Sequence, residues 1–404
     1  MNIYSLSGYN GTTDAAFPVN TRRVDACGAD SAVPVPAVDS TGFKYPSGKA
    51  CDMQTLLLNA DDVDENARMD RVIDAVRGAF TAYERGNAKM PAKSYIDLPE
   101  YNGDFRSMPA YLDVRTEDTA EETGWDAAGI KWVNVHTDNP ADHDLPTVMG
   151  TMIYSDPETA FPLAVLDGTT LTMKRTGAAA AVATDHLAVP DATSLGIVGA
   201  GVQSYTQLEA IAAVRDIEEV VISDLDEERV ADFIDAFDDR FDVRAGSISE
   251  AGHCDVLSTV TPVEDPVVGP DDVGEHTHVN AMGADAEGKH ELADDLLLDA
   301  TVVIDDHEQC THSGEINVPY AAGTLTDEDI YGEIGEIVVG TRPGRADVDA
   351  GGNAPGTGAE GVTGVTVFDS TGLAIQDVAA ARVVYEQADD NDNGYPFDLL
   401  GLAE

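Results

Sequence analysis

From Met53 onward the apolar positions fall into clear periods. Met53, Leu56, Leu57 and Leu58 form a short run of strand type. Met69, Val72, Ile73, Val76, Phe80 and Tyr83 then recur three and four positions apart up to Gly86, a helix with a glycine stop. Strand patterns follow from Ile130 to His136, Thr147 to Tyr154 and Phe161 to Leu166, the last two joined by the turn Ser155-Asp156-Pro157-Glu158. This part reads as α+β and largely antiparallel. After Thr176 the pattern changes. An alanine-rich helix (Ala178 to Ala188) leads into short apolar runs alternating with helices, at 194–198, 219–223, 255–259, 277–282 and 301–304. Such alternation signals a parallel sheet. Beyond a Gly/Ala-rich surface loop from Gly344 to Gly364, a strand at 365–368 and a helix from Ala374 to Ala388 complete the chain. Residues 1–52 carry neither period and read as a disordered extension, which makes Met53 a candidate start.

Composition sharpens the picture. Lys and Arg total 23 against 75 Asp and Glu in 404 residues, a formal charge of −52, and the acids are spread along the chain. That spread describes a solvated acidic surface. Its self-repulsion is screened only at high salt, where the Debye length falls to about 3 Å at molar concentration, so a salt-rich cytoplasm is expected. Nucleic acid and membrane partners are not expected, because no basic patch, no apolar run of spanning length and no signal-type start is present. Cys27, Cys51, Cys254 and Cys310 stand far apart and read as free thiols. No metal is expected: His276, His278, His307 and His312 lack ligand spacing, and His253 and His290 read as surface residues.

The run Leu195-Gly196-Ile197-Val198-Gly199-Ala200-Gly201-Val202-Gln203-Ser204 puts glycines where a strand turns sharply into a helix. Gly199 permits the turn and Gly201 clears the way for a phosphate. Val202 and Gln203 open a helix whose free N–H groups attract an anion. Ser204 takes the third position, where Gly or Ala is usual. Asp224 ends the next apolar run, 25 positions after Gly199, where its carboxylate would accept the adenosine ribose hydroxyls and repel a 2′-phosphate. NAD is therefore expected in preference to NADP. Asp224 as a helix cap is the plainer alternative.

Only seven lysines occur: Lys44, Lys49, Lys89, Lys93, Lys131, Lys174 and Lys289. Lys131 lies inside a strand pattern, where an inward charge needs an anionic partner. Lys174 and Arg175 sit at the expected start of the alanine-rich helix, a poor place for cations unless an anion binds there.

The stretches Met90-Pro91-Ala92-Lys93, Arg106-Ser107-Met108-Pro109, Gly129-Ile130-Lys131-Trp132-Val133-Asn134, Lys174-Arg175-Thr176-Gly177-Ala178-Ala179, Asn280-Ala281-Met282-Gly283-Ala284-Asp285, Gly314-Glu315-Ile316-Asn317 and 368–377 resemble, in order, the ornithine cyclodeaminase/mu-crystallin family. The resemblance covers about 53–389. It implies a homodimer with an α/β fold: a Rossmann NAD-binding domain (177–364) and an α+β substrate and dimerisation domain built from both chain ends (53–176 and 365–395). It also implies that Lys93, Lys131 and Arg175 hold a substrate carboxylate, that Asp285 or Lys93 is the general base, and that Thr259, Thr261 and Asn280 join Gly199, Gly201, Val202, Gln203 and Asp224 around NAD.

Three reactions share this scaffold: alanine oxidation, cyclisation of ornithine to proline, and reduction of cyclic ketimines. Cyclodeaminases place a Glu two residues before the Met-Pro, where it pairs with the side-chain ammonium of ornithine. Here that place holds Arg106, which would repel such a group and is free to touch the carboxylate. Oxidative deamination of L-alanine is therefore the expected reaction.

Overall fold

The computed structural model describes residues 54–115, 124–345 and 361–402. The expected extension at 1–52, with Cys27 and Cys51, lies outside the described residues, as do most of the acidic insertion near Thr116–Trp125 and of the Gly344–Gly364 loop.

The first sheet contains β1 (Thr55–Leu58), β2 (Ala88–Lys89), β3 (Ser94–Leu98), β4 (Gly103–Asp113), β5 (Asp126–His136), β6 (Val148–Ser155) and β7 (Pro162–Asp167). Its pairs are antiparallel apart from β1 with β7. β4 and β5 pair in register from Gly103 opposite His136 to Asp113 opposite Asp126. Along β4, Arg106, Met108, Ala110 and Leu112 are buried, toward the helices Met69–Glu84 and Ala374–Asp390, while Phe105, Ser107, Pro109 and Tyr111 are only half-buried. Period-two alternation thus covers one face only.

The second sheet contains β8 (Ser194–Val198), β9 (Glu219–Ser223), β10 (Asp242–Ala245), β11 (Val256–Thr259), β12 (His278–Ala281), β13 (Thr301–Ile304), β14 (Ile330–Glu333) and β15 (Thr366–Asp369), in the order β10-β9-β8-β11-β12-β15-β13-β14 and parallel throughout. It is a doubly wound sheet of the Rossmann type. One expectation changes here. The strand at 365–368, grouped with the chain's return to the substrate domain, is β15 and lies between β12 and β13 in the parallel sheet. All four of its residues are buried, and a strand covered on both faces belongs in a parallel sheet. The return begins with the helix Ala374–Asp390, after which β16 (Tyr395–Phe397) pairs with β1.

The helix Gly168–Leu187 joins the two layers, packing on Met69–Glu84 and on Val202–Ile211. It starts ten residues earlier than its alanine run suggests. Asp167 caps it, accepting from the backbone N–H groups of Thr169 and Thr170 at 3.3 and 2.7 Å. Lys174 and Arg175 are therefore in its second turn, and the inference of an anion at the helix start falls. Carboxylates pair with both instead: Asp64 (2.9 Å) and Glu209 (3.5 Å) with Lys174, and Asp377 (2.9 Å) with Arg175. No helix among the described residues is long and apolar enough to cross a membrane.

Candidate active site

At the end of β8 the chain turns through Gly199, whose φ of +105° favours glycine and where a Cβ would fall 2.9 Å from the Val260 carbonyl oxygen. Gly201 begins the helix Val202–Ile211 without any side-chain cap, and a Cβ there would meet nothing within 4 Å. Val202 is 68% exposed. Oε1 of Gln203 is buried and without a partner, an orphan acceptor beside the turn. Open space before an uncapped helix terminus is what a pyrophosphate needs, so the residues present fit a dinucleotide. Ser204 needs no glycine in its place, since its hydroxyl donates to the Gly201 carbonyl at 2.6 Å.

Asp224 follows β9 and accepts from the N–H of Ala200 (2.6 Å) and of Asp226 (2.9 Å). The cap of the next helix is Asp226. Thr261 lies against Gly199 and bonds to Glu291 through its N–H and its hydroxyl, both at 2.7 Å. Thr259 and Asn280 point inward. The Thr259 hydroxyl donates to Glu291 at 2.6 Å and the Asn280 amide to Thr184 Oγ1 at 3.0 Å.

A cluster of cations lies where the parallel strands end against the first sheet. Lys131, on the inward face of β5 and 1% exposed, donates to Asp377 Oδ1 at 2.8 Å and to the Thr172 hydroxyl at 3.1 Å. Arg175 donates from Nε to the same oxygen at 2.9 Å and from Nη1 to Gln376 Oε1 at 3.1 Å. Burial pulls Lys131 below its ordinary value against the opposing charge of Asp377. Burial alone would raise Asp377, but Lys131 and Arg175 prevail and hold it low. Two cations thus share one carboxylate, and a positive charge is left over. Lys93 Nζ donates to the carbonyl and the hydroxyl of Thr371, at 3.2 and 3.4 Å. Burial pulls it down to about 8, opposed by Asp305 and Asp285.

Arg106 is held between two acids. Asp104 takes Nε and Nη2 at 2.9 Å each, and Asp285 takes Nη1 at 3.2 Å. Lys289 reaches Asp285 from the other side at 3.0 Å. Burial would raise Asp285, yet these two cations keep it below the usual carboxylate range. Lys93, Arg106, Lys131, Arg175 and Asp285 therefore converge, as the sequence suggested. Asp104, Lys289, Asp305, Thr371, Gln376 and Asp377 were not foreseen as their partners. His290 proves buried, not superficial. Cys254 and Cys310 are free and buried. Among the described residues no three His, Cys, Asp or Glu side chains form a metal centre.

The family model of the ornithine cyclodeaminase/mu-crystallin proteins matches residues 53–392. The chain belongs to that family. Every site residue described above falls inside the matched span. Among its relatives, the chain is 44% identical over 337 residues to alanine dehydrogenase of Archaeoglobus fulgidus, a match spanning 83% of this chain and 96% of that one. It is 30% identical over 339 residues to a Delta(1)-pyrroline-2-carboxylate reductase of Bacillus cereus, spanning 82% and 96%. A solved archaeal alanine dehydrogenase dimer with bound NAD superposes with a TM-score of 0.75 at 42% identity, covering 86% of this chain and all of that one. This ornithine cyclodeaminase/mu-crystallin chain thus resembles oxidoreductases of both amino and imino acids.

Proposed function

We propose that this chain is an NAD-dependent dehydrogenase that oxidises L-alanine to pyruvate and ammonia. The observation that carries the reading is the pairing of Arg106 with Asp285 at 3.2 Å beside the Lys93, Lys131 and Arg175 cluster. The glycine turn and the uncapped helix give NAD its seat, and Asp224 disfavours a 2′-phosphate. Bound NAD supplies the hydride acceptor for the substrate Cα.

Lys93, Lys131 and Arg175 hold the substrate carboxylate, because the charge left uncompensated by Asp377 demands an anion. Asp285, kept ionised by Lys289 and Arg106, takes a proton from the ammonium and leaves a neutral amine whose lone pair drives hydride departure. Water then adds to the resulting imine and ammonia leaves. Lys93, drawn down to about 8, is the alternative base. Arg106 presents a cation where the side-chain ammonium of ornithine would lie. Asp104 holds it there.

The chain's partner is a second copy. Phe105, stacked on Trp132 at 5.2 Å, and the exposed Ile153 and Ile96 make an apolar face on the first sheet that no helix among the described residues covers. The acidic surface fits a salt-rich cytoplasm, and an unfolding midpoint that fails to rise with salt would refute that reading. Spectrophotometry with NAD and single amino acids tests the activity: L-alanine should give NADH, and no NADH with any small amino acid would sink the proposal.

A further inference from the structure

We infer that Asp305 is a positioning residue whose buried carboxylate fixes the Ser370–Gly372 turn and so sets Lys93 and Arg175 in place. Asp305 follows β13 and is 1% exposed. Its Oδ2 accepts from the Ser370 hydroxyl at 2.8 Å and from the Gly372 N–H at 3.1 Å, one on each side of Thr371. Cys310 Sγ contacts Oδ1 at 3.1 Å, and the Asp305 N–H donates to the Asp369 carbonyl at 3.0 Å, so the carboxylate itself is fixed. Thr371, held from both sides, supplies the carbonyl and hydroxyl that take Lys93 Nζ. On the other side, Gly372 has a φ of +74° and its Cα packs on the Arg175 guanidinium, where a Cβ would collide. One carboxylate thereby governs the spacing of two cations.

Charge supports the geometry. The titratable groups around Lys93 are Asp305 after β13, whose carboxyl burial raises while the Lys93 charge draws it down, Asp285 after β12, Arg106 on β4, Lys131 on β5, which burial lowers, and Arg175 on the helix Gly168–Leu187. Two carboxylates face three cations besides Lys93 itself, and Asp305 is the stronger of the two in keeping Lys93 protonated. Loss of its charge therefore lowers the Lys93 value further. The inference rests on the proposed role of Lys93 and Arg175 as carboxylate ligands, and its test separates the two claims.

The full-length protein is labelled with 15N-lysine and titrated by following the Nζ shifts, with the Lys93 signal assigned by its absence in Lys93→Arg. In Asp305→Asn, which keeps an acceptor for Ser370 and Gly372, the Lys93 midpoint should fall by about one pH unit or more, as expected for a removed opposite charge. The alkaline limb of kcat/KM should fall with it, and the KM for L-alanine should rise more than kcat declines. An unchanged Lys93 midpoint in folded Asp305→Asn overturns the inference. If the Lys93 midpoint falls while KM and the pH profile stay as in the parent, Asp305 keeps its place and the ligand role of Lys93 fails. Should Asp305→Asn not fold, Ser370→Ala serves instead: it loosens the turn without changing charge and should weaken pyruvate binding to the NADH complex about tenfold or less, the loss of one hydrogen bond. Unchanged pyruvate affinity in Ser370→Ala overturns the inference equally.

Discussion

The two sheets hold their cations and their acids by different means. The first sheet and the helix that follows it carry Arg106, Lys131 and Arg175, each buried and each paired with a carboxylate. The ends of the parallel strands carry Asp224, Asp305 and Asp369, each of which accepts from backbone N–H groups: Ala200 and Asp226 for Asp224, Gly372 for Asp305 beside the Ser370 hydroxyl and the Cys310 thiol, and Glu315 and Ile316 for Asp369. Cations here are buried as ion pairs. The acids serve as anchors for loops. The difference teaches that damage on the cation side should leave a stranded charge, whereas damage on the acid side should misplace a loop. It also explains why a chain with so few Lys and Arg keeps these: each has a carboxylate awaiting it.

The largest effect is expected on the cation side. Asp377→Asn leaves Lys131 and Arg175 buried without their shared carboxylate, which should cost about 3–5 kcal/mol of folding stability and nearly all activity. Denaturant unfolding checks it, and a parent-like midpoint would mean that these cations are solvated. Gly372→Ala should come next, because it imposes about 1–3 kcal/mol of backbone strain and drives a methyl group toward Arg175. Steady-state kinetics should show a raised KM for L-alanine, and a parent-like KM would detach the turn from the cation cluster.

A smaller effect is expected at Asp285, where the two sides meet. Lys289→Gln removes one of the two cations that hold the Asp285 carboxyl low, so its value rises toward the ordinary one. Asp285 acts when deprotonated, so the acid limb of kcat/KM should move to higher pH, by under about one unit for a group this accessible. The same low value in the folded state stabilises the protein above the unfolded carboxyl value and is lost as pH falls through the folded one, so the variant should lose less stability on acidification. An acid limb that stays put would transfer the base to Lys93. The smallest change is on the acid side. Asp224→Ala with Leu225→Arg should narrow the preference for NAD over NADP, measured as the ratio of kcat/KM for the two cofactors, at a small cost in stability because the Ala200 and Asp226 N–H groups lose their acceptor. A parent that prefers NADP would contradict the reading of Asp224.

Where an element is buried on both faces, its sequence announces it. The strands at 194–198, 219–223 and 301–304 occur as read, because uninterrupted apolar runs between turns have little alternative. β4 escaped notice because Asp104, Arg106 and Ser107 interrupt its apolar positions, and the reason for the buried Arg106 is a pair of partners distant in sequence or two residues away. The start of the helix Gly168–Leu187 was hidden by Gly168, Thr169 and Thr170, poor helix formers that the Asp167 cap compensates. Rarity drew attention to Lys131 and to Lys174 with Arg175, while Lys93, Arg106 and Asp285 became legible only through the resemblance to the family. That Lys131 needed an anion followed from its strand position, but among 75 acids nothing local marked Asp377, or Asp305, as different from the rest.

The central claim, that this cation cluster serves the oxidation of a small amino acid, is tested most directly by stoichiometry. Parent protein at high salt is given NAD with L-alanine, or NAD with L-ornithine, and NADH, pyruvate, proline and ammonia are measured together. With L-alanine, NADH, pyruvate and ammonia should accumulate one for one, and L-ornithine should yield little proline. Catalytic conversion of L-ornithine to proline and ammonia with no net NADH, and no pyruvate from L-alanine, would contradict the account.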